Sequence, residues 1–346
     1  MAHISSRKRT SMLRFIAVGT ATIAALALGG CSASTDSAGE SSSEVAAAAA
    51  AADPQAPEST TITAAIWQSG ISAQWFLGGE YAEENYGLTF KSDWMTDATV
   101  GRAQLASGSI DIVPGSPFGA GQLSVGGADT LIVAGNYVLQ KGQQAIYARA
   151  GSGIESVLDL QGKTVAFSSI TGADPNRLRI AIKDAGGDPE SVKLVSSTLT
   201  DIPGQLANAS IDAADVGSLI IPTIEKAGGY EVLDLGSGEW EGRPYNVWLT
   251  TKSYYLAHPN TIAAFQCSME AGSEAGNDPA TFTAFLSNTL GWNADRVAAQ
   301  IPIDFVTGPV DPADAQADWD DAVAANGDPE YDVASLVIPW PKDCAA

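Results

Sequence analysis

An octet that occurs twice limits the architecture of this chain more than any other feature. Gln104-Leu-Ala-Ser-Gly-Ser-Ile-Asp111 and Gln205-Leu-Ala-Asn-Ala-Ser-Ile-Asp212 agree at six of eight positions. Each closes a helical stretch and leads into an apolar strand, and the surroundings repeat as well. Thr61–Ile66 reads as a strand, Ala73–Tyr86 as a helix ended by Gly87, and Leu88–Asp93 as a second strand. Asp97–Ser107 reads as a second helix, with Ile110–Val113 and Thr130–Ala134 as further strands. From Lys163 the order starts again with a strand at Thr164–Phe167. A helix follows, with Asp174 as N-cap, Pro175 at the first helical position and Gly186-Gly187 as its stop. Val192–Val195, Ile211–Val216 and Glu231–Leu235 are the later strands. Strands alternating with helices predict mostly parallel sheets covered on both faces. Equal placement of the octets predicts two lobes of shared architecture. Ala145–Arg149 and Tyr245–Thr250 read as crossings between them. Helices around Pro259–Gly272, Pro279–Leu290 and Ala294–Gln300 have no third sheet to join and return to the first lobe.

The amino terminus sets the compartment. Arg7, Lys8, Arg9 and Arg14 precede Phe15–Leu28, a run of 14 residues without charge. A membrane-crossing helix needs about 20 apolar residues, so the run fits an export signal instead. Leu28-Gly29-Gly30-Cys31 resembles a bacterial lipobox, which implies cleavage before Cys31, a lipid on its sulfur and a place outside the cytoplasmic membrane. Ser32–Thr60 holds Ser, Ala, Asp, Glu and Pro with Val45 as its one larger apolar residue, and reads as a flexible tether. The expected organisation is a signal over 1–30, a tether over 31–60, a first lobe over 61–145, a second over 146–244, and a return to the first over 245–346.

Removing the signal removes four basic residues and no acidic ones, which takes the net charge from −22 to −26. So acidic a surface argues against nucleic acid and anionic membranes as partners. Two cysteines besides Cys31 remain, Cys267 and Cys344. In an oxidising exterior they are expected to pair, pinning the tail to the helix that holds Phe265. Metal ligation is the weaker alternative, because His258 is the one histidine beyond the signal and stands in no ligand cluster. No metal and no cofactor is expected.

Three stretches then carry a resemblance: Leu105-Ala-Ser-Gly-Ser-Ile-Asp-Ile112 followed by Pro114–Pro117, Val157-Leu-Asp-Leu-Gln-Gly-Lys-Thr-Val-Ala166 leading into Ser168–Gly172, and Tyr254-Tyr-Leu-Ala-His-Pro-Asn-Thr-Ile-Ala-Ala-Phe265. From Thr61 to about Gly308 the chain resembles the substrate-binding proteins of bacterial ABC importers, in the nitrate/sulfonate/taurine branch. The resemblance implies two Rossmann-like α/β lobes with mixed, mostly parallel sheets, joined by a two-stranded hinge and closing on a small ligand. It also implies a membrane permease as partner. One departure concerns specificity: no basic residue stands in the loops after the first three strands.

Loops at the carboxyl ends of such strands carry the ligand contacts. From the first lobe the candidates are Trp67, Gln68, Ser69, Trp94, Asp97, Ser116 and Pro117. From the second they are Ser168, Ser169, Thr171 and Gly172, with Gly217 and Ser218 at the next strand end. Hydroxyls and free N–H groups before Asp174-Pro175 suit a helix N-terminus, which attracts anions. Each candidate also has an ordinary structural reading: the second-lobe loop as turn and cap, Trp67 and Trp94 as packing, Asp97 as a cap. Arg177 and Arg179 lie beyond the first turn and read as solvated. Catalysis finds no support, since the nucleophile elbow, the phosphate loop and the dinucleotide fingerprint are all missing from the sequence. The expected function is therefore that of a monomeric, lipid-anchored, extracytoplasmic receptor for a sulfonate, taurine or nitrate-type solute. The alternatives are a receptor for a thiamine-precursor-like pyrimidine or an amine, a sensor input, and, further off, an exported enzyme.

Overall fold

The computed structural model describes residues 37–95, 98–218, 220–342 and 344; the export signal and Cys31 lie outside them. After a first helix, α1 (Ser37–Ala51), strands and helices alternate: β1 (Thr61–Trp67), α2 (Ala73–Tyr86), β2 (Thr89–Met95), α3 (Ala98–Ala106), β3 (Val113–Gly115), α4 (Pro117–Val125) and β4 (Thr130–Val138). The second series is β5 (Gln144–Ala148), β6 (Thr164–Phe167), α5 (Ala173–Asp184), β7 (Lys193–Ser196), α6 (Ile202–Ala207), β8 (Ala213–Gly217), α7 (Ile221–Lys226) and β9 (Tyr230–Asp234). The chain ends with β10 (Pro244–Thr251), α8 (Lys252–Ala257), α9 (Pro259–Asn277), α10 (Pro279–Asn288), α11 (Ala294–Ala298), β11 (Asp304–Phe305) and α12 (Pro312–Asn326).

Two sheets of one design result. In the second lobe the order is β7-β6-β8-β5-β9, with β5 antiparallel to both neighbours. In the first, β1 pairs in parallel with β2, and a bridge from Ala64 to Ile112 joins them to the run β3-β10-β4-β11. There β10 is antiparallel to both β3 and β4, and the edge strand β11 is antiparallel to β4. Alternation along β1 feeds both faces of this sheet. Ile62, Ala64 and Ile66 pack with Trp75 and Phe265, whereas Ala65 packs with Phe118 and Trp319.

The repeated octets make the same corner in each lobe. Asp111 Oδ2 accepts from the N–H and hydroxyl of Thr63 on β1, at 2.8 and 2.7 Å. Asp212 Oδ2 accepts from the N–H of Thr164 on β6, at 3.0 Å. Gly108 and Ala209, one position of the repeat, both turn left-handed, at φ 70° and 60°.

Three expectations need correction. Ala145–Arg149 and Tyr245–Thr250 are not crossings: β5 and β10 lie inside their sheets, and the chain passes between lobes before each, at 139–143 and 235–243. Their unbroken apolar character reflects burial between two neighbours. Nor is the whole of 31–60 a tether. Val45 joins the core of lobe one, with Ala48 and Ala49 packed against it. Glu58 then caps α9, its carboxylate accepting from Asn260 N–H at 3.0 Å and from Thr261 N–H at 2.8 Å. Finally, Asp174 is not the cap of α5 but its second residue, with Gly172 as N-cap. Cys267 on α9 is bonded to Cys344, with Cα atoms 5.2 Å apart.

Candidate functional site

The strand ends of the two lobes meet across α12, which packs against both α4 and α5. Trp319 anchors this helix in lobe one, fully buried and stacked 5.6 Å from Phe118. From the same turn Asp318 reaches two ways. Its Oδ2 accepts the Phe118 N–H at the start of α4 at 2.9 Å, and its Oδ1 stands 3.8 Å from Arg177 of α5. Arg243 pairs with Asp321 at 3.0 Å, and Asn326 donates to Asn176 at 2.8 Å.

Arg177 is therefore not solvated; it is 1% exposed. Its guanidinium donates to Leu235 O at 2.9 Å and lies over the rings of Tyr245 and Trp240, 5.4 and 5.6 Å from their centroids. Its Nε has no partner. Beside it stand Asp174 and Asp215, close enough that each shifts the titration of the other. Tyr245 donates to Asp174 Oδ2 at 2.7 Å, and Gln144 donates to Asp215 Oδ1 at 2.6 Å. Asp174 keeps part of its surface in solvent, but its Oδ1 is shut away without a donor.

The electrostatics follow from burial. Desolvation raises the pKa of Asp174, with Arg177 and the Tyr245 hydroxyl pulling the other way. Asp215 is raised well above the usual carboxylate range, first by burial and then by the adjacent Asp174 charge. Burial also raises Asp318, opposed by Arg177. Like carboxyls this close share a proton unless a cation stands between them.

The sequence candidates distribute unevenly around this centre. Ser116 caps α4, its hydroxyl accepting from Gly119 N–H at 3.0 Å, and Pro117 is the buried first residue of that helix. Gly172 leads α5, and Gly217 ends β8 opposite Gln144. Ser218 donates its N–H to Gln143 O, so this corner is the hinge wall. Ser168, Ser169 and Thr171 are exposed, and the Ser169 hydroxyl is used within the loop, donating to Thr171 O at 2.7 Å. Trp67 packs on the α4 side of lobe one and Gln68 is exposed, while Ser69 O accepts from the Ser72 hydroxyl at 2.7 Å. Trp94 stands apart, 46% exposed, with its ring 5.9 Å from Phe76 on the α2 face. Asp97 lies outside the described residues. Sequence reading missed Asp215, Gln144, Tyr245 and Asp318. One signal was present, since Asp215 is the one acid within β8 (Ala213–Gly217) and a buried acid needs a reason.

Comparison with solved structures identifies the fold that carries this arrangement. The periplasmic aliphatic sulphonate-binding protein SsuA from Escherichia coli is 18% identical, with a TM-score of 0.65, and the match covers 81% of this chain and 98% of that one. The chain has the periplasmic binding protein fold. A ligand-binding component of an ABC-type import system from Staphylococcus aureus, solved with zinc, shares the binding-protein fold at a TM-score of 0.68 and 13% identity, over 81% and 97% of the two chains. So does the nitrate-binding protein NrtA from Synechocystis PCC 6803, at 0.64 and 13%, over 81% and 85%. Residues 126–280 match the model of the family described as NMT1/THI5 like. A sequence search of curated proteins finds no match. The likeness to sulphonate- and nitrate-binding structures is thus one of fold, and the family model matches the middle of the chain. Among the described residues no group of three or more His, Cys, Asp or Glu is arranged to hold a metal ion.

Proposed function

We propose that this protein is the lipid-anchored receptor of an ABC importer, which takes a small sulfonate or taurine-type solute between its lobes and presents it to a membrane permease. The observation that carries the reading is the meeting of polar side chains from both lobes at their strand ends, Tyr245 with Asp174 and Asp318 with Arg177. A solute that bridges such groups stabilises the closed arrangement by its differential contacts. The similarity to sulfonate- and nitrate-binding proteins supports the solute class. The signal and Cys31 support the anchor. Five residues separate Cys31 from α1, at most about 20 Å of extended chain, so α1 docked on lobe one would hold that lobe near the membrane.

A thermal-shift panel of taurine, alkanesulfonates, nitrate and aminopyrimidines tests the reading, using residues 32–346. Stabilisation by a sulfonate without product formation supports it. If no member shifts the melting temperature, the reading fails. Stabilisation by aminopyrimidines alone moves it to the second ligand class, which the acceptors of Asp174 and Asp215 also suit. Cys31→Ser should release the protein from the membrane, and retention would contradict the anchor.

A further inference from the structure

We infer that Asp174 and Asp215 receive a protonated nitrogen, so that the solute is an amine-bearing zwitterion and not a simple oxyanion; this rests on the solute-binding reading above. Two carboxyl groups from separate elements, α5 and β8, are held side by side, and Asp215 is only 2% exposed. Tyr245 and Gln144 supply one hydrogen bond to each, which leaves Asp174 Oδ1 buried and unsatisfied. A carboxylate offers acceptors only, so what completes the pair must donate. Nitrate and a bare sulfonate cannot, and their charge would be repelled.

The neighbouring cation does not fill this role. Arg177 is turned to Leu235 O and Asp318, and its charge is shared among more acids than it can neutralise. Its Nε, nevertheless, is a buried donor with no acceptor. The site therefore presents an unsatisfied acceptor, Asp174 Oδ1, and an unsatisfied donor within one cluster, against the paired rings of Tyr137 and Tyr245, 5.6 Å apart. A short molecule with an ammonium at one end and an acidic group at the other meets both. When it binds, the ammonium replaces the proton that the carboxyl pair otherwise shares, and that proton leaves to solvent.

Isothermal titration with taurine and with 2-hydroxyethanesulfonate isolates the nitrogen, because both keep the sulfonate and differ in ammonium against hydroxyl. Taurine is expected to bind at least about tenfold more tightly, and Asp215→Asn to bring the two close to equal. Asp174→Asn serves as a second variant, and circular dichroism confirms that both variants fold. Equal affinity for the two compounds in the parent protein overturns the amine receptor and leaves the solute-binding reading intact. Binding of ethanolamine but of neither sulfonate, lost in Asp215→Asn, keeps the receptor and overturns the sulfonate class. Binding of none of the three overturns both.

Discussion

Ala209 carries a backbone angle that suits glycine, φ 60°, because it inherits the corner that Gly108 makes in the first lobe. A left-handed conformation costs an L-residue roughly 1–2 kcal/mol, offset in part by the greater unfolded-state freedom of glycine. Ala209→Gly is expected to stabilise the protein by about 1 kcal/mol and to raise its Tm by a few degrees; a lower Tm would contradict the shared corner. Asp215 adds a pH dependence. Its carboxyl holds a proton more tightly folded than unfolded, so stability is lost as pH rises from the usual carboxylate range through its raised value. The groups facing it are Asp174, Arg177 and Gln144, with Tyr245 and Tyr137 at the lobe boundary. Asp215→Asn removes the titration and keeps an acceptor for Gln144. Without ligand, its Tm advantage over the parent should grow between about pH 4 and 8; an advantage that shrinks with pH would contradict the buried pair. Residue roles were the least legible part of the sequence. Arg177 looked like a helix-surface cation, and what covers it, Trp240, Tyr245 and α12, comes from more than fifty positions later in the chain.

At the scale of elements, α12 joins the lobes. Trp319 fills the core beneath α4, and truncation to alanine should cost roughly 3–5 kcal/mol in a denaturant titration, as for other buried aromatics. A loss below about 1 kcal/mol would mean that the helix is only loosely applied. Glu58 fixes the other end of the chain to lobe one. Burial raises its pKa, but hydrogen bonds from Asn260 and Thr261 outweigh this and hold it lowered. Its contribution is therefore present above the usual carboxylate range and fades as the pH falls through the lowered value. Glu58→Ala should cost about 1 kcal/mol and open residues 52–60 to limited proteolysis; unchanged protection would show that α1 is held by its apolar face alone. Strands and helices with clear period and caps were legible from sequence, α2 and β6 to the residue. Neither α4 nor α12 was. The start of α4 reads as a loop because Gly119 and Gly121 interrupt it, and the Gly121 position meets the Trp319 ring, which a Cβ would clash with at 2.4 Å. That requirement is tertiary and leaves no local mark.

For the molecule as a whole, the repeated octet foretold two lobes of shared architecture, and the order β2-β1-β3-β10-β4 in the first answers β7-β6-β8-β5-β9 in the second, with β11 added at the edge. It could not foretell that β5 and β10 would be the antiparallel strands within those sheets. The candidate site depends on this detail, since Gln144 begins one of them and Tyr245 lies near the start of the other. The proposed function requires that the lobes, joined by two crossings, open and close on the solute. Small-angle X-ray scattering of residues 32–346, with and without saturating taurine, tests this most directly. The radius of gyration is expected to fall on binding, together with a change in tryptophan emission. Bound taurine with an unchanged radius, or no binding at all, would contradict a receptor that closes on its solute.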